Sequence, residues 1–188
     1  MSLESSIAFV FNGQSCTHFN LEWVFDPYFS AAIIQEHDKN ADGVFSSEEA
    51  ENVYNGAFIN LRKYGYFIYL RKGNTRVHPD AVENFVPIIR DQRLVYTFSI
   101  DLEDTSYSKD FSVAIFDSTF YCRVDHAPSG ISIQQQNTAY PVPDFNKTVN
   151  KDYPVYYDPL APVSDMTIHD SWKPGLETAY PEEIRVFF

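Results

Sequence analysis

Asp38-Lys39-Asn40-Ala41-Asp42-Gly43-Val44-Phe45-Ser46-Ser47-Glu48-Glu49 sets oxygen-bearing side chains at the first, third, fifth, ninth and twelfth places of a twelve-residue run. Calcium is a hard cation that takes about six to eight oxygens, and an EF-hand loop supplies them from positions 1, 3, 5, 7, 9 and 12. Here those ligands are Asp38, Asn40, Asp42, the Val44 carbonyl, Ser46 and Glu49. Gly43 falls at the sixth position, where the loop turns sharply and a side chain is unwelcome. The spacing therefore predicts a bound calcium ion. Two departures weaken the site: Phe45 stands at the eighth position, where paired EF-hands usually carry an aliphatic residue, and the sequence holds no second such loop. A lone loop with three carboxylates is expected to bind at about 10⁻⁴ to 10⁻³ M, the range of extracellular modules. At that affinity the ion braces structure and does not signal.

Helix signals flank the loop. Asp26-Pro27 places an N-cap residue before a proline at the first helical position, opening a helix to about Glu36. A second helix starts near Ser46-Ser47, with Ala50, Val53, Tyr54, Ala57, Leu61 and Tyr64 at helical spacing, acidic residues in its first turn, a weak point at Gly56 and an end at Gly65. Beyond the helices the period is two. Ile7, Phe9 and Phe11 alternate, Asn12-Gly13 marks a turn, and Phe19, Leu21, Trp23 and Phe25 resume the alternation. Further strands are expected at Tyr66 to Arg71, Arg76-Val77, Phe85 to Arg90, Arg93 to Glu103, Phe111 to Phe116, Thr119 to Val124, Ile131 to Gln135 and Ile184 to Phe188. The expected fold is α+β, an antiparallel β-sandwich-like core with an inserted EF-hand helix-loop-helix. One domain spans 1–188, with the insertion at about 26–65 and an irregular, proline-rich wrapping segment at about 139–181.

A net charge of −12 and a pI near 4.7 carry the wrong sign for neutralising phosphates or anionic lipid, which disfavours nucleic acid and membrane surfaces as partners. No apolar run approaches the roughly 18 to 20 residues that span a bilayer. The aromatic residues, 16% of the chain, read as core filling for pleated surfaces. Cys16 and Cys122 allow one bridge at most, and Cys122, alternating with Phe120 and Val124, reads as a small core hydrophobe.

Weaker constellations complete the reading. Cys16, His18 and Glu22 share one face of the second strand and mix soft and hard donors that suit zinc or nickel. Asp101, Glu103, Asp104 and Asp110 gather around a turn where charge is readily solvated. His37 adjoins the calcium loop, where its protonation would disfavour the ion. No nucleophile elbow, phosphate-binding glycine loop or HExxH occurs, and the expected protein is not an enzyme.

Four stretches in order carry a resemblance: Trp23-Val24-Phe25-Asp26-Pro27-Tyr28-Phe29-Ser30, the loop Asp38 to Glu49, Asn60-Leu61-Arg62-Lys63-Tyr64-Gly65-Tyr66-Phe67, and Phe116-Asp117-Ser118-Thr119-Phe120-Tyr121. From about Ile7 to Gln135 the chain resembles the bacterial family known as domain of unknown function 1007, whose members are often labelled periplasmic components of an ABC-type transport system. The resemblance implies a periplasmic or secreted protein, its signal peptide removed from this chain, working beside a membrane transporter component, with nickel or cobalt permeases encoded nearby. Two functions follow as expectations. The first is a calcium-binding extracytoplasmic accessory or binding protein with calcium in a structural role; the second is a nickel, cobalt or zinc chaperone for a metal transporter. Many members begin with a His-Pro-His segment. This chain begins Met1-Ser2-Leu3-Glu4-Ser5, so a metal role for that segment does not carry over.

Overall fold

The computed structural model describes residues 1–102, 107, 110–162, 165 and 167–188. Two five-stranded sheets share one hydrophobic core, and a pair of helices is inserted after the second strand. The first sheet contains β1 (Ser2–Asn12), β2 (Ser15–Phe25), β5 (Glu83–Arg90), β6 (Arg93–Asp101) and β8 (Arg123–Gln135), in the order β5-β6-β2-β1-β8. The second contains β3 (Ile68–Lys72), β4 (Thr75–Val77), β7 (Phe111–Ile115), β9 (Asp144–Val149) and β12 (Glu182–Phe187), in the order β4-β3-β7-β12-β9. Within these sheets every pairing is antiparallel except β1 with β8, which run parallel.

The alternation read in the sequence sets which side chains enter the core. Ile7, Phe9, Phe19, Leu21, Trp23 and Phe98 point inward from the first sheet, and Phe111, Val113, Ile184 and Val186 meet them from the second. Ring contacts close the gap: Phe9 lies 5.9 Å from Phe111, edge to face, and Trp23 stacks on Phe67 at 6.3 Å. Each fully buried aromatic or aliphatic side chain of this kind contributes about 1.5 to 3 kcal/mol relative to exposure.

The helices are α1 (Pro27–His37) and α2 (Ser47–Gly56). Asp26 caps α1, its carboxylate accepting from the Tyr28 and Phe29 amides. The expected second helix is shorter than its apolar spacing suggested. It leaves α geometry at Ala57 and continues as a 3-10 segment, Phe58–Phe67, after Asn60 Nδ2 donates to the Gly56 carbonyl and takes up an end group of the helix. Gly65, Tyr66 and Phe67 then all adopt left-handed φ values of 57°, 54° and 59°, so β3 starts at Ile68 and not at Tyr66.

Three further expectations are corrected. The strand expected over Thr119 to Val124 is a turn up to Cys122, because the Asp117 carboxylate collects the Thr119 amide, the Thr119 hydroxyl and the Cys122 amide and curls the chain. The strand proper starts at Arg123 and extends through the one expected at Ile131, with a shift in its pairing to β1 between His126 and Ile131. The proline-rich stretch is not wholly irregular: β9 edges the second sheet against β12, while β10 (Val155–Tyr157) and β11 (Glu177–Ala179) form a small hairpin-like pair of their own. Of the residues read as strand or acidic cluster, Glu103 and Asp104 lie outside the described residues.

Candidate metal-binding loop

The loop joins the C-terminus of α1 to the N-terminus of α2. At its entry the Asp38 amide donates to the Ile34 carbonyl, ending α1, and the Asp38 side chain is buried at 8% exposure. Its two carboxylate oxygens accept from the Asp42 amide at 3.2 Å and the Gly43 amide at 3.0 Å, which folds the loop back toward its own start. Asn40 Oδ1 also accepts from the Asp42 amide, and Asn40 Nδ2 donates to Asp42 Oδ2 at 2.8 Å. Asp42 Oδ1 accepts from the Val44 amide. Gly43 holds φ +81° with nothing near its missing Cβ, so the glycine is required by conformation and not by crowding. Ala41 is also left-handed, at φ +56°.

At the exit Ser46 caps α2 and Glu49 closes a capping box. The Ser46 hydroxyl accepts from the Glu49 amide, and Glu49 Oε2 accepts from the Ser46 amide and hydroxyl at 2.9 and 2.8 Å. Glu49 Oε1 reaches across the loop to accept from the Lys39 amide at 2.8 Å. The bonds from Ser46, then that from Lys39, hold the Glu49 carboxyl below the usual carboxylate range. One side chain thus ties the end of α1 to the start of α2.

The donor set fits calcium in chemistry: every proposed ligand atom is an oxygen, and Asp38 and Glu49 are the buried carboxylates of the run. Their oxygens are engaged by backbone amides, and among the described residues no three His, Cys, Asp or Glu side chains are gathered as a metal site. Val44 and Ser46 are exposed. His37 is buried beside the loop, and the absence of a Cβ on Gly56 lets its ring approach α2, at 3.2 Å from where that carbon would be.

The Cys16, His18 and Glu22 trio is not assembled. A bulge between Val10 and Phe11 makes His18 pair with Val10 and Cys16 pair with Phe11, and the shift turns Cys16 into the core while His18 and Glu22 stay on the outer face. Burial pushes the Cys16 thiol up to about 12. Glu22 is paired instead with Arg90 at 2.6 Å. Both cysteines are free and buried, which settles the alternatives left open for Cys122 in favour of a core thiol. Asp110, read as part of an acidic turn, is paired with Arg185.

Sequence reasoning missed a cavity of about 280 Å³. Phe29, Leu61, Tyr64, Phe67, Asp117 and Tyr121 line it, drawn from three of the four stretches that carry the resemblance. No local pattern joins residues so far apart in the chain.

An α+β sandwich with a helix-loop-helix set into it is thus the class that this fold and loop define. Over residues 1–188 the chain matches the family described as protein of unknown function (DUF1007), and it belongs to that family. It is also similar to the uncharacterized 15.5 kDa protein in the trpE 3′ region of Spirochaeta aurantia, with 31% identity over 99 residues that cover 52% of this chain and 71% of that protein. Among the described residues no helix is long and apolar enough to cross a membrane.

Proposed function

We propose that the chain is a calcium-binding, non-enzymatic accessory or binding protein that acts outside the cytoplasm beside a membrane transporter, with calcium as a structural brace. The observation that carries the reading is the folded state of the loop: Asp38 gathers two loop amides, Gly43 takes the left-handed turn, and Glu49 bridges both helices. Asp38, Asn40, Asp42, the Val44 carbonyl, Ser46 and Glu49 are the residues that would hold the ion. The bound ion supplies positive charge among three carboxylates that otherwise repel one another.

The helices fastened by this loop cover one end of the core. Phe29 packs on Phe25 at 4.9 Å, Tyr54 on Phe85 at 5.4 Å, and Ile33 and Val53 are buried beneath them. Fixing the loop fixes this cover, and with it the surface offered to a partner. The weak affinity expected of a lone loop suits a compartment with abundant calcium, which supports the extracytoplasmic address.

Thermal unfolding in calcium against chelator tests the proposal. With about 10 mM calcium and a Kd of about 10⁻⁴ to 10⁻³ M, linkage gives about 1.4 to 2.7 kcal/mol of added stability, or about 3 to 11 °C in Tm. An unchanged Tm, with no calcium retained in native mass spectrometry, would sink it. The nickel, cobalt or zinc chaperone is the second reading. Its sequence basis on β2 is dispersed by the bulge, and titration with those metals would revive it only by saturable binding tighter than that of calcium.

A further inference from the structure

The cavity beside α1 combines two features that point to one class of ligand. Its walls are largely apolar and aromatic, with the side chains of Phe29, Leu61, Tyr64, Phe67 and Tyr121, and Met1 also borders it. Its most buried polar group is the Asp117 carboxylate, at 5% exposure. That carboxylate is oriented by its own turn: Oδ1 accepts from the Thr119 amide and hydroxyl, both at 2.8 Å, and Oδ2 accepts from the Cys122 amide at 2.9 Å. None of the ion pairs among the described residues includes Asp117. Its charge is felt nearby, since burial first and Asp117 second push the Tyr64 hydroxyl up.

A buried carboxylate in no ion pair among the described residues, set among aromatic side chains, favours positive charge beside it. Ring quadrupoles and a fixed carboxylate both attract a weakly hydrated organic cation, and neither gains much from a neutral ligand of the same shape. The backbone around the cavity is held in costly conformations. Phe67 sits at φ 59° at the end of the left-handed run, and Phe120, in the turn that carries Asp117, sits at φ 57°. A bulky residue with positive φ persists only where surrounding structure over-determines it, and such strain clusters at ligand sites.

We propose that this cavity binds a small organic cation, an alkylammonium or quaternary ammonium group, received by the rings of Phe29, Tyr64 and Tyr121 with the Asp117 carboxylate as its counter-charge. The site is separate from the calcium loop and stands whether or not that loop takes calcium. At about 280 Å³ it lies at the small end of ligand cavities, which limits the bound group to a few carbons around the charge.

Amide-resolved NMR titration of the full chain tests this with butylammonium chloride, tetramethylammonium chloride and neutral 1-butanol as probes, against sodium chloride at matched ionic strength. Saturable shifts at Leu61, Tyr64, Phe67 and Thr119 are expected with one or both ammonium ions, with butanol at least tenfold weaker. Asp117→Asn should weaken the ammonium ion at least tenfold. Leu61→Trp, which fills the cavity and leaves the turn bonds of Asp117 alone, should abolish binding, and it decides the matter if Asp117→Asn fails to fold. Equal binding of butanol, shifts confined to other residues, retained binding in Leu61→Trp, or no saturation by about 50 mM would overturn the proposal.

Discussion

Replacing Glu183 with Gln should strongly destabilise the protein. Glu183 sits on β12 at 1% exposure and holds two guanidinium groups at once. Arg71 of β3 approaches through Nε at 3.0 and 3.1 Å and Nη2 at 2.6 Å, and Arg76 of β4 approaches through Nη2 at 2.9 Å. Arg71 also donates to the Ser112 hydroxyl on β7, so one network crosses the strands β4, β3, β7 and β12. Tyr153 of the proline-rich segment covers it, with Arg76 lying 4.7 Å over its ring. Removing one partner of a buried ion pair costs about 3 to 5 kcal/mol, because the remaining charges lose their compensation. Both arginines keep some contact with water, 17% and 16% of their side chains being exposed, which places the loss at about 3 kcal/mol. For a chain of this length that is about 6 to 12 °C in Tm.

Urea unfolding followed by the fluorescence of the buried Trp23 measures it. The pH dependence supplies a second signature. Burial alone would raise the Glu183 carboxyl, but the hydrogen bonds and charges of Arg71 and Arg76 prevail and hold it below its ordinary 4.5. A depressed carboxyl contributes stability that is fully present above the unfolded value and is lost as pH falls through the folded one. The native protein should therefore lose stability below about pH 4.5 more steeply than the variant. A loss under about 1 kcal/mol with parallel pH curves would refute the reasoning.

Other substitutions probe the loop, the left-handed turn and the core thiols. Ser46→Ala should cost about 1 kcal/mol in chelator, where only the cap of α2 is lost, and more in calcium, where a ligand is lost with it. Asp42→Ala, which removes both side-chain oxygens and their bonds to Asn40 and Val44, should destabilise the chelated protein slightly and erase the calcium increment; retention of the increment would remove Asp42 from the ligand set. Gly65→Ala should lower stability by about 2 to 3 kcal/mol, since its Cβ would lie 1.9 Å from His78 Nδ1, which bonds the Ile68 carbonyl, and φ is +57°. A change within about 0.5 kcal/mol would show that the turn relaxes freely. Cys16 and Cys122, both free, buried and pushed up to about 12 by burial, should resist a disulfide reagent at pH 8 in the native state and react with two equivalents once unfolded; rapid native labelling would contradict their placement.

What the sequence made legible was local. The alternation from Ile7 to Phe25 and from Leu94 to Ile100 named the core faces correctly, because a period of two survives any strand order. The caps at Asp26 and Ser46 were readable for the same reason, as each acts within three residues. Cys16 was misplaced because a bulge adds one residue to a strand without leaving a mark in composition. Phe120, Cys122 and Val124 imitate a strand, and only the hydrogen bonds to Asp117 reveal a turn. Tyr66 and Phe67 carry side chains that favour extended backbone, so their left-handed geometry runs against local preference and reflects packing. The edge strand β9 depends on a partner more than thirty residues away, and its flanking prolines spoke for loop. The loop between α1 and α2 was legible from spacing and caps alone, whereas the cavity around Asp117 needed three separated segments brought together.

Calorimetric titration of calcium into the chelator-stripped chain tests the brace most directly. One site with a Kd of about 10⁻⁴ to 10⁻³ M is expected, weakened in Glu49→Gln, a change that keeps a capping side chain but removes a carboxylate. The absence of saturable heat up to about 10 mM calcium, or a signal unchanged in Glu49→Gln, would contradict the account.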